Sequence, residues 1–292
     1  MLLSFVFPLT FVVLWASAFA TGSVATQDAT PFAALAFRFS LVAIGFVIVA
    51  WWLAEFSTLK MRDLKHSIMT GLLFHGLYLG GCWYSFSVGI PAGVSALIVC
   101  TQPILTAIFA GLLLGEQVSL KNWLGLSLGF AGAALVLGLD VGSEFAIDGL
   151  VANVVALAAI TTGTIWQRKY SQTLPLATNN AVQAAAAAVF HGTVMWFLES
   201  PAINLTLSFG LAMGWLVIAV SFGAFSILMY LINHHSASQT SALFFLVPPV
   251  AALIGWLLLN EGLTTIDLLG FAVASGGVYL ATRPSVSIAD ER

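Results

Sequence analysis

The sequence predicts an all-α polytopic membrane protein, with ten transmembrane helices forming two inverted five-helix repeats around a central cavity. Three observations predict it. Of the 292 residues, 60% are hydrophobic and only 7% charged, against about 25% charged in an ordinary soluble domain; such a chain cannot cover a water-facing surface. Apolar runs of spanning length, about 20 residues each, follow one another with short connections. A stretch of the first half also returns in the second half at a fixed offset.

Apolar runs read against breakers place the spans at 5–22, 31–53, 67–88, 92–114, 121–139, 149–168, 176–198, 209–232, 238–259 and 266–282. The first ends in Ala16, Ser17 and Ala18, small residues that would also suit a leader-peptide cleavage site. No Lys or Arg precedes them, however, and the run is long enough to span. The second and seventh open at Pro31 and Pro175, where a missing N–H costs nothing. The fifth and tenth follow Ser119 and Thr264, suited to be N-caps. Asn179, Asn180 and Gln183 weaken the first half of the seventh span.

Charge then orients the bundle. With the N-terminus inside, the cytoplasmic connections carry Lys60, Arg62, Lys65, Lys121, Arg168, Lys169, Arg283 and Arg292. The opposite side holds no Lys or Arg, only Asp28, Asp140, Glu144, Asp148, Glu199, Glu261 and Asp267. Basic residues stay on the cytoplasmic side, so the expectation is a multi-pass bacterial inner-membrane protein with both termini cytoplasmic.

Composition also removes function classes. A formal net charge of -3 without any Lys/Arg run argues against nucleic acid. The two cysteines, Cys82 and Cys100, lie in apolar stretches and read as small buried residues; no disulfide framework or zinc spacing exists. His234 and His235 are adjacent and would point apart on a helix, which disfavours a metal site. No phosphate-binding glycine loop is present, so this chain does not hydrolyse ATP. No cofactor, no metal and no catalytic residues are expected. The expected partners are a small-molecule solute and the lipid bilayer; oligomeric state stays open, a monomer being compatible.

The repeat runs from Gln102-Pro103 through Leu112-Leu113-Leu114-Gly115-Glu116, echoed by Val247-Pro248 through Leu257-Leu258-Leu259-Asn260-Glu261 about 145 residues later. At the same shift Leu124-Gly125 matches Leu269-Gly270 and Gly132 matches Gly277. Five spans per copy is an odd number, so the second copy enters the membrane upside down. Inverted repeats are a hallmark of alternating-access carriers, with the site between the halves. These motifs, with Trp15-Ala16-Ser17-Ala18-Phe19 and Arg38-Phe39, resemble ten-helix members of the drug/metabolite transporter superfamily with two EamA-type repeats. The resemblance covers the whole chain and implies a first repeat over 1–140, a second over 147–284 and a cytoplasmic tail over 285–292. Among bacterial members, exporters of amino acids are the nearest functional type.

The candidate substrate-binding residues are Trp15, His75, Tyr78, Gln102, Thr161 and Ser221. His75 and Tyr78 lie on one face of the third span near its middle, where polar groups face the bundle interior or a water-filled cavity. They read either as cavity lining, with His75 also a proton acceptor, or as structural hydrogen-bonding groups. Trp15 is either core or an aromatic wall. Hydroxyls such as Thr161 and Ser221 often bond to their own helix instead. Pro103, Pro248 and Pro249 are candidate hinges, since each removes a backbone bond and frees the carbonyl of Val99, Phe244 or Phe245. Arg38, the lone cation inside a span, reads either as a binder of a solute carboxylate or, the expectation taken here, as bonded to loop carbonyls at the outer rim. Glu116 and Glu261 are expected to accept from the first N–H groups of the span that follows each. Gly125/Gly129 and Gly270/Ala274 form small-xxx-small faces that should pack spans five and ten together outside the cavity. Spans one, three, four, six, eight and nine would line the cavity.

The function this predicts is export of amino acids with apolar or aromatic side chains, and of similar small amphipathic metabolites, by alternating access. An alternative is efflux of lipophilic cationic drugs or dyes, held by aromatic walls. A membrane-embedded enzyme is remote, because acid–base chemistry needs positioned pairs of titratable groups.

Overall fold

A computed structural model describes residues 2–55, 61–90, 92–137, 145–170, 175–259 and 264–282. Among the described residues the chain is helical almost throughout, with a single isolated β-bridge between Ala29 and Ile203. The helical rods are α1 (Leu2–Asp28), α2 (Pro31–Trp52), α3 (61–87), α4 (92–114), α5 (Leu120–Leu137), α6 (Ile147–Tyr170), α7 (Leu176–Leu198), α8 (Leu207–His234), α9 (237–259) and α10 (Thr265–Ala281). The chain is a multi-pass membrane protein: α2 and α4 through α9 each contain a helical stretch long and apolar enough to cross a bilayer. Shorter apolar stretches, Val6–Ala18 and Thr265–Ala281, lie in α1 and α10. Leu, Val and Ile side chains stand exposed along the rods, and Trp51, Trp52 and Trp196 are exposed at rod ends, where indole rings suit a headgroup belt.

Helix ends are tied down locally and across the bundle. Ser119 and Asn122 exchange hydrogen bonds at the start of α5, and Thr264 with Asp267 forms a capping box on α10. Both caps fall where Ser119 and Thr264 suggest them. Other starts are capped by distant carboxylates. Glu199, just past α7, accepts from Phe32 N and Ala33 N at the start of α2. Glu55, just past α2, accepts from Thr178 N in the first turn of α7. Glu116, just past α4, accepts from Ala237 N and Ser238 N at the start of α9. Glu116 therefore does what its position suggests, shielding a positive helix end, but for α9 and not for the adjacent α5. Glu261 lies outside the described residues.

These ties sort the two ends of the bundle. Arg168 donates from the end of α6 to the Ile232 and Asn233 carbonyls at the end of α8, and Asn122 of α5 donates to the Ala281 carbonyl at the end of α10. Together with Glu55 and Glu116, they mark the end that also carries Lys121 and Lys169. At the opposite end Asp28 accepts from Thr206 and Ser208, Asp148 accepts from the Tyr84 hydroxyl, and Glu199 caps α2.

Packing follows an exchange pattern. The most extensive pairings are α5 with α10 and α2 with α7, each joining one rod from either half. α1 packs mainly on α8 and α9, while α6 packs mainly on α3 and α4. Swapping the halves of the sequence maps the α5–α10 and α2–α7 pairings onto themselves and the contacts of α1 onto those of α6. The α5–α10 contact is backbone to backbone: a Cβ on Gly132 would overlap Ala274 N, and one on Gly125 would sit 2.6 Å from the Gly277 oxygen. The small residues picked out in spans five and ten thus meet each other, as their spacing requires. Apolar burial gives no drive between helices already in lipid, so this close fit holds the pair by van der Waals contact.

Candidate functional site

Four of the rods depart from α-geometry, and the departures are matched. α3 carries a π-helical stretch at Leu72–Tyr78 and α8 one at Leu216–Ala224, about 145 residues apart. α4 is interrupted at Cys100–Thr101 between Ala92–Val99 and Gln102–Leu114. At the same shift, α9 tightens into a 3-10 turn at Leu243–Leu246. Each irregularity immediately precedes the prolines or includes the polar residues singled out above. π-turns inside α-helices occur frequently at functional sites, and 3-10 stretches within helices often mark hinges.

A cavity of about 300 Å³ lies against all four departures, at the small end of the range for ligand sites. It is lined from α1 by Trp15 and Gly22, from α3 by His75 and Tyr78, and from α4 by Ser95 and Cys100. Ser221 of α8 and Pro248 of α9 complete its wall, and α2 contributes Arg38. Thr26 and Ile90 extend it toward the end that carries Asp28 and Asp148. No residue of α6 is among its lining residues, whereas α2 is represented, which reverses the expectation for those two spans.

The candidate residues separate accordingly. Trp15 stacks against Phe225 at 6.4 Å and meets Phe244 edge-on at 5.3 Å, forming an aromatic wall. The His75 ring lies 4.0 Å from Phe225 and 4.7 Å from Phe39. Its backbone carbonyl, in the π-turn, accepts from Nε2 of the buried His191 on α7 at 2.8 Å. Gln102 stands outside the cavity: its Nε2 donates to Thr106 at 2.9 Å and reaches Thr164 of α6. Thr161 also stands outside, its hydroxyl donating to the Leu157 carbonyl at 2.7 Å. Pro103 is buried beside the break in α4, and Pro248 and Pro249 follow the 3-10 turn of α9. Val99, whose carbonyl loses its usual donor to Pro103, lines the cavity, as does Phe244; the Phe244 carbonyl, however, accepts from Val247 N in the 3-10 turn, so Pro248 does not free it.

Arg38 is the main departure from the sequence expectation. It is 5% exposed, and its Nε and Nη2 donate to Ser221 Oγ at 3.1 and 3.0 Å, not to loop carbonyls at a rim. The reason is the helix face. α2 starts at Pro31 and packs along α7, which turns Arg38 inward toward the π-turn of α8. The Phe39 ring lies 5.4 Å from the guanidinium carbon. Ser221 is thereby a cavity hydroxyl committed to a cation, a pairing that spans half the chain and leaves no local trace in sequence. The one signal available was that Arg38 stood alone among apolar residues. Among the described residues, no group of three or more His, Cys, Asp or Glu could hold a metal ion.

Comparison with known proteins agrees with this architecture. The profile of the EamA-like transporter family matches residues 2–138 and again residues 148–283. The uncharacterized transporter YvbV of Bacillus subtilis is 25% identical over 290 residues, spanning 94% of this chain and 90% of that protein. A probable terminal-alkyne amino-acid exporter of Streptantibioticus cattleyicolor is 28% identical, spanning 93% of this chain and 91% of its own. One solved crystal structure superimposes with a TM-score of 0.79 over 95% of this chain and 96% of that chain, at 18% identity; that likeness is one of fold.

Proposed function

Because the chain belongs to the EamA-like transporter family, and so is a membrane transporter and not an enzyme, we propose that it exports amino acids with apolar or aromatic side chains and related small metabolites. It does so by alternating access in the inner membrane. Ten crossings form two inverted five-helix repeats, with both termini cytoplasmic; the antiparallel pairing of α2 with α7 and of α5 with α10 supports the inversion. The grouping of Lys121, Arg168 and Lys169 at one end supports the orientation.

The observation that carries this reading is the matched set of helix irregularities around one cavity. Interrupted helices at corresponding places in two repeats are where carriers of this kind bind solute and bend. Pro103 and Pro248, each beside such a break, are the hinges. Trp15, His75, Tyr78 and Ser221 contact the solute, the aromatic wall taking its apolar part. The amino-acid exporter among the relatives supports the substrate class. Lipophilic cations are disfavoured, since Arg38, the one charged side chain among the described lining residues, is itself a cation.

Uptake of labelled amino acids into proteoliposomes tests the proposal. Flux above that of empty vesicles for phenylalanine, tryptophan or leucine is expected, and flux no greater than empty vesicles across a broad amino-acid panel would refute it.

A further inference from the structure

The wall of the cavity has an unusual charge balance. One guanidinium faces it, and no Asp or Glu is among its lining residues. Arg38 forms no ion pair with a described residue, and its hydrogen bonds there go to a single oxygen, Ser221 Oγ. That oxygen occupies the Nε–Nη2 edge of the fork. The Nη1–Nη2 edge remains, and Nη1 makes no hydrogen bond among the described residues. A buried cation without a counter-charge is expensive, the more so inside a membrane. Its planar fork matches a carboxylate bidentately. For an ammonium group, by contrast, the wall offers aromatic faces and neutral oxygens such as those of Tyr78 and Ser95, with no carboxylate among its lining residues.

We infer that Arg38, positioned by Ser221, is a carboxylate subsite, and that the cavity takes monocarboxylates bearing a small apolar or aromatic group whether or not they carry an α-amino group. This rests on the transport reading above and sharpens it. The carboxylate is the obligatory feature and the amine is dispensable. Amines lacking a carboxylate are repelled by the fixed cation. Amino acids enter as acids that happen to bear an ammonium, and their deaminated counterparts enter as well.

Four matched probes decide it in binding assays on the purified protein: phenylalanine, 3-phenylpropionate, phenethylamine and phenylalaninamide, with the leucine-derived set beside them. Both acids of each set are expected to raise the unfolding temperature and to compete with each other, and the amine and amide to do neither. Arg38→Gln is expected to weaken binding of the acids roughly 10- to 100-fold, as loss of charge-assisted hydrogen bonds does, with Arg38→Lys recovering part of it. Ser221→Ala is expected to weaken it less, because it removes the anchor of the guanidinium and leaves its charge. If Arg38→Gln fails to fold, the probe selectivity of the unmodified protein still decides. Phenethylamine binding as well as 3-phenylpropionate, or no acid of either set binding, overturns the subsite and leaves transport standing. Acids that bind but do not cross proteoliposome membranes leave the subsite standing and remove the transport reading.

Discussion

Gly276 and Gly277 are neighbours on α10, and alanine at the two positions should act in opposite directions. A Cβ at Gly276 meets nothing within 4 Å. A Cβ at Gly277 would overlap Gly129 N of α5 and lie 2.7 Å from the Gly125 oxygen and 2.8 Å from Gly129 Cα. The 2.7 Å approach alone is 0.7 Å short of the 3.4 Å at which ordinary contact begins. Every obstructing atom is backbone, so no side chain can swing aside and the helices must part. Overpacking of this kind costs about 1–3 kcal/mol. The gain in helix propensity from Gly to Ala, up to about 1 kcal/mol, is common to both variants and cancels in their difference. G277A should therefore unfold roughly 2–12 °C below G276A, and G276A should match or exceed the unmodified protein. Thermal unfolding in detergent, followed by tryptophan fluorescence and checked by size-exclusion profiles, measures this. Indistinguishable unfolding temperatures for the two variants would refute the backbone-contact account of the α5–α10 pair.

Glu116→Ala removes the acceptor for Ala237 N and Ser238 N and should cost about 1–2 kcal/mol, with Glu116→Gln falling between it and the unmodified protein in thermal unfolding; an unchanged E116A would contradict the cross-bundle cap. Cys82 and Cys100 are the only two cysteines of the chain, and both are buried against the cavity. Modification by N-ethylmaleimide should accordingly be slow, and 3-phenylpropionate should slow it further. Labelling of both thiols at the rate of a free thiol, read by mass spectrometry, would place them elsewhere.

What could be read from the residues beforehand was whatever depends on near neighbours. Rod boundaries fall close to the apolar runs, and α1 continues beyond its run to Asp28 because residues 23–28 contain no breaker and are tied to Thr206. The glycine faces of α5 and α10 were legible because their spacing is itself the contact geometry. Features fixed by distant partners were not. The π-turn of α3 leaves a carbonyl that is satisfied by His191, 116 residues away, so no local pattern announces it. The capping role of Glu116 follows from its position after a helix, but its partner helix depends on how the rods assemble. Arg38 was recognisable as anomalous, while its direction depended on which helix covered which face of α2. Gln102, which suited a cavity, is instead turned to Thr106 and Thr164, while Thr161 bonds to its own helix, the alternative its hydroxyl offered.

The crossing-over of the first rod of each half has a consequence for how the molecule can divide. α1 leans on α8 and α9, α6 leans on α3 and α4, and the α2–α7 and α5–α10 seams stitch the two sets together. On the alternating-access proposal, the bodies that swing are interlaced groups drawn from both ends of the polypeptide, not its amino- and carboxy-terminal portions. A chain severed between α5 and α6 would yield fragments that each lack the surfaces their own first helix needs, and that regain them only when made together in one bilayer.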